Sequence, residues 1–175
     1  MRLLSIVFLA AALPAAPGLA ASPPLVIQGD HAVAGLRISR ATLADARTRL
    51  GSPSTVRSRA SGVECNVGWN RLGLKLAFLD FSGRACKDGV LVTATITSGS
   101  AWRTSLGLRV GDSVARLGRL YPRATLHRAA PPWTGYWLVT RRTCAEVGSL
   151  PYPGLLARAR NGRVTALVAG TAPCD

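Results

Sequence analysis

Two similar segments, 72 residues apart, constrain the fold of this chain more than any other feature. The clearer copy contains the tetrapeptide Gly107-Leu-Arg-Val110 and the other contains Gly35-Leu-Arg-Ile38. Each tetrapeptide precedes a short amphipathic helix. Because a helix this short is not stable alone in water, each must lie across a sheet. The repetition predicts two tandem units of similar length.

Both predicted helices have start and stop signals. Thr42 and Asp45 have the spacing of a capping box, with Asp in place of the usual Glu. Asp112 or Ser113 caps the second helix. Apolar residues then fall at i, i+3 and i+7 on one face of each helix: Leu43, Ala46 and Leu50, and Val114, Leu117 and Tyr121. Residues that end a helix follow each segment: Gly51 and Pro53 after the first helix, and Pro122 after the second.

Strand patterns fill the rest of each unit. In the first unit, residues 62–69 and 72–81 are joined by a predicted tight turn at Asn70-Arg71, and residues 90–97 alternate between apolar residues and threonine. In the second unit, Asn161-Gly162 between two apolar runs demands a type I′ hairpin. The other predicted strands are residues 25–27, 54–59, 124–128 and 135–141, and the predicted irregular segments are 82–89 and 143–154.

These elements predict an α+β fold of two tandem units, each a short helix packed on an antiparallel β-meander and stapled by a disulfide. The first unit spans residues 22–98 and the second spans residues 99–175. Their combined length favours one compact domain.

The first 21 residues have the pattern of a signal peptide. A single positive charge, Arg2, precedes an apolar core at residues 3–13 that is too short to span a bilayer. Small residues then lead to a cleavage site after Ala20 or Ala21. We therefore expect a secreted, periplasmic or cell-envelope protein without a further membrane span. No cysteine stands directly after the cleavage site, where a lipid would be attached, so no lipid anchor is expected.

Four cysteines lie in the predicted mature chain: Cys65, Cys86, Cys144 and Cys174. An even number in an exported protein predicts two disulfides, and three pairings are open. We favour Cys65–Cys86 and Cys144–Cys174, because each then staples one unit. Since no C-x-x-C motif is present and the two histidines are isolated, no metal site and no cofactor are expected.

The chain is strongly basic, with 22 Lys and Arg residues against 8 Asp and Glu residues and a formal net charge of +14. Such a charge favours acidic partners such as nucleic acid, anionic lipid or cell-wall polymers. However, 20 of the cations are arginine and they are scattered, with Arg141-Arg142 as the one doublet. Scattered arginine is also what a GC-rich coding bias produces, and we favour that interpretation.

A catalytic set is not recognisable in the sequence. The chain has no Gly-x-Ser-x-Gly elbow, no His-Glu-x-x-His motif and no phosphate loop. Its nearest acid–base pair is Asp30-His31, and sequence neighbours on an extended strand point to opposite faces. An enzyme would have to use His31 or His127. We therefore expect a protein that is not an enzyme.

Aromatic residues are the best candidates for a binding surface. Trp133, in a proline-rich loop, is the leading one, and Tyr136 and Trp102 are the others. Trp69 and Trp137 lie within predicted strands and are expected in the core.

Short structural motifs in both units resemble those of a known family. The matching residues are Gly35, Ile38, Thr42, Leu43, Leu50, Gly51 and Pro53, and Gly107, Val110, Gly111, Ser113, Val114 and Pro122. They resemble the repeat of the β-lactamase inhibitory protein family, and are similar to outer-membrane assembly lipoproteins of the SmpA/OmlA type. The lipoproteins carry a lipid-modified cysteine that this chain lacks.

The resemblance implies a small exported protein that presents a concave sheet to a partner protein. Together with the missing catalytic set, it predicts a non-enzymatic binding or inhibitor-like protein of the envelope or secretome. The alternative is a basic module that binds polyanions such as cell-wall polymers or nucleic acid.

Overall fold

A computed structural model describes residues 25–128, 133–142 and 151–170 of the chain. The predicted signal peptide, residues 1–21, lies outside these ranges, as do Cys144 and Cys174. Three short helices are present in the described residues: α1 (Leu43–Leu50), α2 (Ala85–Asp88) and α3 (Val114–Leu120). Twelve strands are numbered along the chain: β1 (Leu25–Gln28), β2 (Ala32–Val33), β3 (Leu36–Arg37), β4 (Thr55–Arg59), β5 (Glu64–Trp69), β6 (Leu74–Leu79), β7 (Val90–Ile96), β8 (Trp102–Thr104), β9 (Thr125–His127), β10 (Gly135–Arg142), β11 (Pro151–Arg160) and β12 (Arg163–Gly170).

The large sheet contains eight antiparallel strands in the order β4-β5-β6-β7-β12-β11-β10-β9. Strands β4 to β7 follow one another as a meander, and so do β9 to β12. The last strands of the two meanders pair with each other, with Leu167 opposite Ile96. The described part of the chain is therefore mostly β, with a few short helices.

A small second sheet connects the start of the described chain to its middle. Its order is β3-β2-β1-β8, and β8 runs parallel to β1, with Trp102 opposite Leu25. The indole N–H of Trp102 donates to the carbonyl oxygen of Leu72 at 2.7 Å, and the side chain is only 1% exposed. Trp102 thus fastens the small sheet to the turn between β5 and β6.

The two predicted helices, α1 and α3, begin with the caps that the sequence predicts. At α1, the Thr42 hydroxyl accepts from the Asp45 N–H at 3.3 Å and the Asp45 carboxylate accepts from the Thr42 N–H at 2.8 Å, which confirms the capping box. At α3, the cap is Ser113, whose hydroxyl accepts from the Arg116 N–H at 3.2 Å. Asp112 instead accepts from the N–H of Arg109 at 2.9 Å.

The residues before each helix bond to the last strand of the meander that follows it. In the first half, Ser39 N–H donates to the Leu91 carbonyl at 2.7 Å, and Leu91 N–H donates to the Ala41 carbonyl at 2.8 Å. The same pair of bonds, at 2.8 and 2.9 Å, joins the corresponding residues of the second half, Gly111, Asp112 and Val164.

The core lies between the helices and one face of the large sheet. Side chains alternate between the two faces along each strand, and directly paired residues share a face. One core row crosses five strands at the buried residues Trp69, Leu74, Ile96, Leu167 and Ala157. Leu43 and Ala46 of α1 and Leu117 of α3 belong to the same buried cluster. The core prediction is confirmed for Trp69, Leu43, Ala46 and Leu117, while Leu50 and Tyr121 are partly buried against the cluster and Val114 lies outside it.

Two segments predicted as irregular are ordered. Residues 82–89 contain the one-turn helix α2. The Asp80 carboxylate orders the turn before it by accepting from the backbone N–H of Ser82 at 3.0 Å and of Arg84 at 3.2 Å. Residues 151–154 belong to β11. The two prolines there are tolerated because β12 pairs with β11 only from Leu155 onward, which leaves this end with β10 as its one neighbour in the described chain.

Two local predictions are confirmed. Asn161 and Gly162, which join β11 to β12, have φ of 51° and 72°, as a type I′ turn requires. The Cys65–Cys86 disulfide joins β5 to α2 with a Cα–Cα distance of 5.0 Å. The Cys144–Cys174 pairing lies outside the described residues and stays a prediction.

Candidate functional site

The large sheet has a second face, opposite the core, which we call the outer face. One row of paired residues crosses this face and takes one residue from each of the eight strands: Thr125, Trp137, Leu156, Val168, Thr95, Lys75, Gly68 and Thr55. Seven gaps of about 4.8 Å give the row a length of about 34 Å. The row runs from an apolar end at β10 to a cationic end at β4.

The apolar end is packed on itself. Trp137, Leu156 and Val168 are buried and form a cluster separate from the main core. The His127 ring stacks on Trp137 with a centroid distance of 3.7 Å, and the Trp137 indole N–H donates to the Trp133 carbonyl at 2.9 Å. Trp133 itself is 42% exposed, so its side chain offers apolar surface at this end.

At the cationic end is a groove of about 420 Å³, which we call the cationic groove. Its cations are Arg57 and Arg59 of β4 and Lys75 of β6, all exposed. Within the described residues, none of the three makes an ion pair. The groove's one carboxylate, Glu64, accepts from the Asn66 amide at 2.7 Å. The remaining lining residues are Thr55, Val67, Gly68 and Asn70.

The structure separates the three aromatic residues predicted to form a binding surface. Trp133 is exposed beside the apolar end of the outer face. Tyr136 lies on the core face of β10, half-buried against the main cluster. Trp102 is buried in the small sheet, so the prediction of a surface role for it is wrong. Its place in β8, which pairs with β1 in the small sheet, brings its side chain into the main core cluster.

Sequence reasoning missed the cationic groove because its residues meet only through strand register. Arg57 is opposite Asn66, and Lys75 is opposite Gly68, two residues further along β5. The period-two spacing of Thr55, Arg57 and Arg59 was the one available signal, since alternate residues of a strand share a face.

Asp30 and His31 do lie side by side, contrary to the prediction that they point to opposite faces. They occupy the turn between β1 and β2 and not an extended strand, and His31 Nε2 is 3.4 Å from Asp30 Oδ1. Arg141 of β10 donates to both carboxylate oxygens of Asp30, and its Nη2 is 3.2 Å from His31 Nε2. Burial of the Asp30 carboxyl opposes its ionisation, but the hydrogen bonds and charge of Arg141 outweigh it and lower the Asp30 pKa.

Replacing Asp30 by asparagine is expected to lower the free energy of unfolding at neutral pH by about 1–2 kcal/mol, because a charge-assisted bond between the two sheets is lost. The pKa of Asp30 in the folded protein lies below the ordinary value of 3.8. The stabilisation by Asp30 is therefore complete above pH 3.8 and is lost as the pH falls through the pKa of the folded protein. Urea unfolding of both proteins from pH 7 down to pH 3 measures the difference. A difference that does not shrink below pH 4 would contradict this assignment.

Neither a metal site nor a membrane-spanning helix is found in the described residues. Within residues 25–128, 133–142 and 151–170, no three His, Cys, Asp or Glu side chains come together as a metal ligand set. None of the helices formed by these residues has the length and apolar character needed to cross a membrane.

Comparison with protein-family models, curated proteins and solved structures found no significant match. The resemblance to the β-lactamase inhibitory protein and SmpA/OmlA families therefore stays a prediction. The outer face, with its cationic groove and Trp133, is the site on which the proposal below is based.

Proposed function

We propose that this chain is an exported, non-enzymatic binding protein that contacts a partner protein through its outer face. The observation that carries the proposal is the contrast between the two faces of the large sheet. One face is packed by helices, while the other ends in an open groove with three cations that have no ion-pair partner in the described residues.

The exposed part of the outer face lies at its β4 end, because Trp137, Leu156 and Val168 at the other end are buried. Across β4, β5 and β6 this part is about 10 Å wide, and strands β5 and β6, with six residues each, are about 20 Å long. A strip of this size suits an extended segment of a partner protein.

The non-catalytic part of the proposal is supported by the geometry around Asp30. Asp30 precedes His31 in the sequence, and both of its carboxylate oxygens accept hydrogen bonds from the Arg141 guanidinium. A carboxylate committed to a guanidinium is poorly placed to orient a histidine as a general base.

A duplicated α+β unit accounts for the paired features of the fold. Both meanders have four strands, and in each half the residues before the helix bond to the last strand through the same pair of backbone hydrogen bonds. Gly35 and Gly107, the leading glycines of the two tetrapeptides, both have positive φ, of 80° and 87°. Duplication joined through β7 and β12 would produce one continuous eight-stranded sheet.

Export is supported by the disulfide and by the leader. A structural disulfide such as Cys65–Cys86 persists in an oxidising compartment. Residues 1–21 supply the signal-peptide pattern that would take the chain there. A secreted, periplasmic or cell-envelope location follows from the two together.

A second candidate function is binding of polyanions such as cell-wall polymers or nucleic acid. It is favoured by the net charge of +14 and by the three cations of the groove. Affinity for such a ligand would fall steeply with salt and would depend little on ligand sequence.

The proposed function is tested by placing a photo-cross-linking amino acid at Lys75 or Thr95 of the outer face, with Arg119 of α3 as the control position. We expect the variants with the cross-linker at Lys75 or Thr95 to capture one protein of the native secretome, identified by mass spectrometry. The variant with the cross-linker at Arg119 should not capture that protein. Replacing Trp133 by alanine should weaken the capture, because Trp133 is exposed beside the same face.

Capture of the partner from Arg119 with none from Lys75 and Thr95 would overturn the choice of face. Cross-linking of nucleic acid or cell-wall polymer instead of protein would favour the second candidate.

A further inference from the structure

Strand β4 is an open edge of the large sheet. It pairs with β5 on one side and is the last strand in the sheet order. All five of its residues are exposed. The backbone N–H and C=O groups on its free side therefore have no ladder partner in the described chain, and such an edge can pair with an added strand.

The side chains of β4 alternate in chemistry as well as in direction. Thr55, Arg57 and Arg59 face outward with the cationic groove, and Val56 and Ser58 face the other way. Val56 is 43% exposed, which is unusual for an apolar residue on the core side of a sheet. The two arginines are about 7 Å apart, the distance between alternate residues of any strand that pairs with β4.

We propose that β4 is the docking edge for an extended segment of the partner protein in which acidic residues alternate with apolar ones. This inference rests on the proposed function and adds the chemistry of the partner to it. In the added strand, acidic side chains lie against Arg57 and Arg59, and apolar side chains lie against Val56. Lys75 extends the positive surface from the edge into the groove.

Charge excludes a second copy of this chain as the occupant. Antiparallel pairing of two β4 strands would bring the arginines of one copy among those of the other, and like charges on paired strands are destabilising. The same charges select an acidic strand from among other proteins and deter pairing with neutral edges.

The test uses a fluorescent peptide of alternating glutamate and valine, with a block peptide of the same composition and a poly-glutamate of equal charge as controls. We expect the alternating peptide to bind about tenfold or more tightly than either control, since only it matches both sides of β4. On binding, amide hydrogen exchange should slow across residues 55–59.

The charge contribution is isolated by the double variant Arg57→Glu/Arg59→Glu, with Arg119→Glu/Arg123→Glu as a control of equal charge change on exposed residues elsewhere. The first should weaken binding of the alternating peptide about tenfold or more, because two attractions become repulsions. The control should change it by less than about twofold.

Equal binding of the block peptide, poly-glutamate or heparin would overturn strand addition in favour of a general polyanion site. If Lys75 cross-links a native partner but the alternating peptide does not bind, the docking edge is wrong while the proposed function stands. If neither experiment detects an interaction, both proposals fail.

Discussion

Replacing Trp102 by alanine is expected to lower the free energy of unfolding by about 4 kcal/mol, one of the two largest effects we expect from side-chain replacement. The side chain is 1% exposed, so its removal leaves a cavity that the surrounding core cannot fill. The hydrogen bond from its indole to the Leu72 carbonyl is lost as well. Urea unfolding followed by far-ultraviolet circular dichroism measures the change.

Trp133→Ala is the matched control, because it removes the same side chain from an exposed position. We expect it to change the free energy of unfolding by less than about 1 kcal/mol. Its carbonyl, which accepts the Trp137 bond, is retained in the variant. If Trp102→Ala does not fold, Trp102→Phe should fold with a smaller loss of about 1–2 kcal/mol. Equal effects at positions 102 and 133 would contradict the burial described for Trp102.

Loss of the Cys65–Cys86 disulfide is expected to lower the free energy of unfolding by about 3 kcal/mol. The bond closes a loop with a sequence separation of 21 residues, and its main effect is to restrict the unfolded chain. It also holds α2 against β5, where Cys65 is fully buried. The variant Cys65→Ala/Cys86→Ala, unfolded by urea without reductant, measures the loss.

The same variant tests the remaining cysteine pairing. If Cys144 and Cys174 form the second disulfide, neither should react with an alkylating reagent until a reductant is added. Alkylation of both in the unreduced variant would show that the predicted second disulfide does not form. A loss of stability much below 1 kcal/mol would contradict the structural importance given to Cys65–Cys86.

Features set by neighbouring residues could be predicted from the sequence. The capping box of Thr42 and Asp45, the Ser113 cap and the Asn161-Gly162 turn each involve residues at most three apart, so their chemistry is visible in a short window. The strand periodicity was visible for the same reason. The Cys65–Cys86 pairing follows from placing both cysteines in the same predicted unit, and it is confirmed.

Features set by distant residues could not be predicted in the same way. Arg141 bonds to Asp30 across 111 residues, and no local pattern indicates that contact. Trp102 lies outside the strands that the sequence predicts, because β8 is only three residues long and gives no clear alternation, so its burial was missed. The cationic groove depends on the register of β4, β5 and β6, which the sequence does not specify residue by residue.

The outer face owes its shape to the pairing of β7 with β12. That contact turns two four-stranded meanders into one eight-stranded sheet and leaves β4 and β9 as its edges. The edge strand β4 carries two cations of the groove, and the exposed Trp133 lies beside the opposite edge, at β9. This arrangement links the fold directly to the proposed binding role.

Arginine footprinting of the complex with the captured partner tests the central claim most directly. The chain has 20 arginines, so an arginine-selective dicarbonyl reagent read by mass spectrometry reports on many parts of the surface. We predict that Arg57 and Arg59 lose most of their reactivity toward the reagent when the partner binds, while Arg119 and Arg123 keep theirs. Protection of Arg119 and Arg123 with Arg57 and Arg59 unchanged would contradict it.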